Sequence, residues 1–73
     1  MKEAENLLID QEFLQTTRRD LLKFAQLQLR DDSQAEDVVQ EALAAAFANA
    51  KEFAGKSALK TWIFAILKNK IVD

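Results

Sequence analysis

Apolar positions recur on a helical period through the middle of the chain. Ala35, Val38, Val39, Ala42, Leu43, Ala46, Phe47 and Ala50 form one stripe, the spacing of an amphipathic helix with a core-facing side. At about 100° per residue, Asp37, Gln40, Glu41, Ala44 and Ala48 fall on the opposite side. Ser33-Gln34-Ala35-Glu36 reads as a capping box, with Ser33 as the N-cap. The pattern predicts a central helix from Ser33 to Ala50. One face suits a core. The other, with two carboxylates, an amide and two small residues that admit a second helix, suits docking.

The flanking segments are also helical in pattern. A first helix is predicted from about Lys2 to Gln15, with Ala4, Leu7, Leu8 and Leu14 near one face and Ile9 and Phe13 beside it. Thr16 to Asp20 admits two readings. It is a short break in which Thr17-x-x-Asp20 is a cap signal, or it is the interior of one longer helix. From Asp20 to Arg30, Leu21, Leu22, Phe24, Ala25, Leu27 and Leu29 cover more than half the circumference, which predicts an element lying between others. Arg30 suits the negative end of a helix dipole, and Asp31-Asp32-Ser33 is the predicted turn.

After Ala50, Gly55 permits a positive φ and Ser57 is a natural N-cap. Phe53 in this loop either plugs the core or projects. The last helix is predicted from about Ala58 to Val72. Leu59, Ile63, Ile66 and Leu67 form its buried stripe, Trp62 lies at the edge, and Phe64 is assigned to packing. Thr61, Ala65, Lys68 and Asn69 form an outward ridge. One charge, two hydrogen-bonding side chains and a small gap suit a face that touches a partner.

Length and composition narrow the class. Seventy-three residues make one small domain, and the lack of proline with a single glycine argues for an all-α bundle of three to four helices. A chain this short buries only about 60% of its unfolded surface. With no cysteine and no histidine, it has no disulfide framework, no thiolate metal site and none of the commonest general base. No Gly-rich phosphate loop is present. Asp37 and Glu41 stand four apart, but one Asp–Glu pair is a poor cage for a hard cation. No catalytic site, metal or cofactor is expected. The N-terminus lacks a signal-type apolar core and no apolar run approaches 18 residues, so no membrane partner is expected. The absence of cysteine suits a reducing compartment.

The net charge of −2 conceals a split. Residues 1–50 carry five basic and ten acidic side chains, a balance of −5. Residues 51–73 carry Lys51, Lys56, Lys60, Lys68 and Lys70 against Glu52 and Asp73, a balance of +3. Such asymmetry suggests two surfaces with different partners.

Three stretches carry a resemblance. They are Ala35-Glu36-Asp37-Val38-Val39-Gln40-Glu41-Ala42-Leu43, Phe53-Ala54-Gly55-Lys56-Ser57-Ala58-Leu59-Lys60-Thr61-Trp62-Ile63-Phe64 and Ile66-Leu67-Lys68-Asn69. In this order and at this spacing they resemble region 2 of bacterial sigma factors, closest to the extracytoplasmic-function (ECF) type. The likeness covers about residues 18–73. It implies a helical, non-enzymatic, cytoplasmic transcription factor domain that binds RNA polymerase core and recognises the promoter −10 element. It assigns Asp37, Gln40, Glu41 and Ala44 to the clamp helices of the polymerase β′ subunit. It assigns Phe53, Lys56, Ser57, Ala58, Lys60, Thr61, Trp62, Lys68 and Asn69 to the single-stranded non-template strand, with a flipped base entering a loop pocket. An anti-sigma factor is a further implied partner.

That assignment fits the chemistry of single strands, which are held by cations on phosphates, by stacking and by hydrogen bonds to base edges. Trp62 reads equally as a stacking platform and as a core residue. Two positions depart from the family pattern: Ala65 and Lys68 stand where many members have arginine. Region 4, the helix-turn-helix for the −35 element, has no counterpart in the chain, which is expected to be an isolated domain or a piece of a longer factor. The rival reading is a helical protein-interaction module, binding a regulator through the central face with no nucleic-acid role. A duplex-binding helix-turn-helix protein is disfavoured because no strongly basic recognition helix appears.

Overall fold

The computed structural model describes residues 10–49 and 59–72. Three helices form there: α1 Gln11–Leu29, α2 Asp32–Asn49 and α3 Leu59–Val72. There is no strand among the described residues, so the all-α expectation holds. The central helix α2 packs on both of the others, and α1 and α3 also touch.

Helix α1 starts at Asp10, whose extended backbone (φ −75°, ψ 116°) precedes the first turn. Its carboxylate accepts from the Phe13 N–H at 3.1 Å, a capping bond that satisfies one orphan donor. A helix running unbroken from Lys2 to Gln15 is therefore not what forms, and residues 1–9 lie outside the described range. Of the two readings at Thr16 to Asp20, the continuous helix is correct. The Thr16 hydroxyl donates back to the Glu12 carbonyl at 2.8 Å, which it shares with the helix ladder, so the side chain is accommodated inside the helix. Thr17 is 1% exposed and belongs to the core.

The turn from α1 to α2 is shorter than expected. Arg30 closes α1 in the left-handed region (φ 55°, ψ 34°) and its N–H donates to the Gln26 carbonyl at 2.8 Å. The cap of α2 is Asp31, not Ser33. The Asp31 carboxylate accepts from the Gln34 N–H at 3.0 Å, and its carbonyl accepts from the Ala35 N–H at 2.9 Å. The Ser33 capping box is thus displaced by two residues. An aspartate competes at least as well as a serine for the N-cap position.

The core is built from Leu21 and Ala25 of α1, Ala35, Val39, Ala42, Leu43 and Ala46 of α2, and Leu59, Ile63 and Leu67 of α3. Four of the five α2 residues are alanine or valine, which lets the flanking helices approach closely. Two expected core residues lie elsewhere. Phe47 is 45% exposed and Leu27 is 71% exposed. Phe47 lies roughly 95° from the centre of the buried α2 arc, and Leu27 roughly 140° from the Leu21–Ala25 line. Among the described residues each helix packs on two others, and neither partner of α1 covers the side that carries Leu27. Ala50 lies outside the described residues.

Candidate functional site

The helix period places two polar surfaces on different helices. On α2, Asp37, Gln40, Glu41, Ala44 and Ala48 are all exposed. They lie nearly opposite the Ala35–Ala46 core arc, which turns inward because its residues are apolar and small. An ion pair reaches this face: Lys70 Nζ of α3 lies 4.0 Å from Glu41 Oε1, with both side chains exposed. Such a surface pair contributes about 1 kcal/mol at most.

On α3, Leu59, Ile63 and Leu67 are fully buried, and this rotates Thr61, Ala65, Lys68 and Asn69 outward. Lys60, Thr61, Phe64, Ala65 and Lys68 line an open groove of about 560 Å³. Lys60, Phe64 and Lys68 follow one another at four-residue intervals along one ridge. That ridge meets α1. Lys60 Nζ donates to Asp20 Oδ2 at 2.6 Å, and the Phe64 ring packs edge to face on Phe24. Lys68 Nζ lies 5.8 Å from the centre of the Phe24 ring. Both groove cations are thus held by α1 residues one turn apart.

The structure brings together part of the residue set expected from the sequence and divides the rest. Lys60, Thr61 and Lys68 share the groove. Trp62 is half-buried and Asn69 exposed, on the far flank of α3 by the helical period. Phe53, Lys56, Ser57 and Ala58, with Gly55, lie outside the described residues. Phe64 is the aromatic side chain in the groove, where it packs and lines at once. Ala65 forms the floor of the gap. The signal for Phe64 was its spacing of four from both Lys60 and Lys68. Among the described residues, no group of three or more acidic, histidine or cysteine side chains could hold a metal ion. No described helix is long and apolar enough to cross a membrane.

Comparison with known proteins places the chain in a family. Residues 13–73 match the model for sigma-70 region 2. The chain belongs to the sigma-70 region 2 family. A probable RNA polymerase sigma factor of Haemophilus influenzae is 56% identical over 68 residues, which is 93% of this chain and 34% of that protein. The ECF RNA polymerase sigma factor SigX of Bacillus subtilis is 32% identical over 73 residues, 100% of this chain and 35% of that protein. The chain therefore spans about a third of the length of these curated relatives. No solved structure matches it. The three-helix arrangement is that of a region 2 domain, and the polar α2 face and the α3 groove are its two candidate working surfaces.

Proposed function

We propose that this region 2 domain binds RNA polymerase core through Asp37, Gln40, Glu41 and Ala44, docked on the β′ clamp helices. Through α3 and the segment before it, the domain holds the non-template single strand of the promoter −10 element. The observation that carries this reading is the complete exposure of the α2 polar face, directed away from the core in a chain of this family. The groove supports the second half: it offers two ammonium groups, a threonine hydroxyl and an aromatic ring within one concavity.

The mechanism is differential binding. A surface that holds unpaired bases better than duplex draws the equilibrium toward the melted state, by no more than that difference in affinity. No bond is made or broken by the protein. With few cations the domain releases few counterions, so its affinity for DNA alone is weak. An anti-sigma factor would compete for the same α2 face.

The test is binding to purified polymerase core, with Gln40→Ala and Asp37→Ala as controls, alongside anisotropy titrations of a −10 single strand and its duplex. Weakened core binding by both variants and preference for the single strand are expected. Unchanged core binding would remove the α2 assignment, and equal affinity for the two DNA forms the α3 assignment.

A second reading has one observation behind it. Lys60 and Lys68 are both engaged by α1, at Asp20 and Phe24, which leaves less free positive charge for phosphates. This favours a protein-interaction module acting through α2 alone. The exposure of the Thr61–Asn69 ridge weighs against it.

A further inference from the structure

Asp20 links two surface grooves. Lys60 lines the α3 groove. A second groove, on α1, is lined by Arg19, Asp20, Leu22, Lys23 and Gln26. The Lys60–Asp20 pair joins them. Arg19 Nε lies 3.9 Å from the other Asp20 oxygen, and Lys23 acts on the same carboxylate through space. One acid thus sits among three cations contributed by two helices. Its side chain is 36% exposed, so its field reaches anything seated in either groove.

Resting on the nucleic-acid reading above, we propose that Asp20 is a specificity-determining residue. Its carboxylate cancels part of the phosphate attraction of the Lys60, Arg19 and Lys23 cluster, which leaves base contacts to carry more of the binding. Phosphate attraction is blind to sequence and supplies most of non-specific affinity. A carboxylate beside the cations subtracts from that component and leaves stacking and base-edge hydrogen bonds intact. The geometry argues against a purely structural role. Both side chains of the pair are partly exposed and lie outside the apolar core, and pairs near the surface add little to stability.

The test uses the full chain and a labelled oligothymidine strand, which presents phosphates and one base type only. Asp20→Asn keeps the shape and an acceptor oxygen for Lys60 while removing the charge. It is expected to bind about threefold tighter at low salt. One more neutralised phosphate steepens the salt slope by about 0.7, so this advantage should shrink about 2.6-fold between roughly 50 and 200 mM salt. In Asp20→Asn/Lys60→Gln the gain is expected to shrink, since Arg19 and Lys23 remain beside the lost charge.

Asp20→Ser provides a second neutral variant, and circular dichroism checks the fold of both. Folded variants that bind no tighter than wild type, or a gain undiminished by the loss of Lys60, would overturn the proposal. Loss of helicity in both variants would overturn it too, by making Asp20 a structural residue. A wild-type preference for single strand combined with no gain in Asp20→Asn removes this inference alone. No binding of any strand by any of the proteins removes the nucleic-acid reading with it.

Discussion

The rings of Phe24 and Phe64 meet edge to face, with centroids 5.9 Å apart and planes at 76°. This is the geometry in which the positive edge of one ring faces the negative face of the other. Because Lys68 lies over the same Phe24 ring, one side chain of α1 organises two residues of the α3 groove. Phe24→Leu retains an apolar side chain and removes both interactions. A loss of about 1–2 kcal/mol is expected, against about 1 kcal/mol for Phe64→Leu, which removes only the ring pair. Urea denaturation measures both, and equal losses would show that the Lys68 contact adds nothing.

The alanines of α2 divide by face. Ala46 is fully buried, whereas Ala44 is exposed on the polar side. Ala46→Leu forces a larger side chain into the packed core and should destabilise by about 1–3 kcal/mol. Ala44→Leu should leave stability within about 0.5 kcal/mol. Its expected effect is on polymerase core affinity, by obstructing the close approach of a partner helix. Thermal melts and core-binding assays on the two variants separate packing from docking, and a large drop in melting temperature for Ala44→Leu would contradict this division.

Two substitutions locate the start of α2. Asp31→Ala removes the acceptor for the Gln34 N–H and should lose about 1 kcal/mol. Ser33→Ala lies inside the first turn and should change stability by less than about 0.5 kcal/mol. The opposite order in chemical denaturation would restore Ser33 as the cap.

Acid should weaken one tertiary contact before it unfolds the domain. The hydrogen bond from Lys60 holds the Asp20 carboxyl below its ordinary range. Partial desolvation opposes this, and the charges of Lys60, Arg19 and Lys23 add to it. A carboxyl whose pKa is lower folded than unfolded contributes stability that is fully present above the unfolded value. That stability is lost as pH falls through the folded value. The melting-temperature difference between wild type and Asp20→Asn should therefore hold from neutral pH down to about pH 4, then decline below it. Circular dichroism melts across this range measure it. A difference unchanged in strong acid would mean that the carboxylate charge plays no part.

The periodicity of a single helix was legible because it is local. Leu59, Ile63 and Leu67 turn inward and Asp37, Gln40 and Glu41 turn outward wherever the neighbours lie, since the spacing of apolar side chains alone divides the two sides. The helical class followed from the same periodicity, and the family from three motifs read in order. The cap of α2 was less legible, because Asp31, Asp32 and Ser33 all suit that position and only the backbone path selects among them.

What no local pattern contained was the pairing of helices. Leu27 and Phe47 are as apolar as their buried neighbours, yet each lies on an arc that no other described helix covers. Lys60 meets Asp20 across forty positions, and Phe64 meets Phe24 across the same seam, because α3 packs beside α1 at that height. The sequence by itself determined which side of each helix is apolar. Only the tertiary structure decided which polar side chains face one another, because charge and ring contacts depend on distances between helices that no single helix contains.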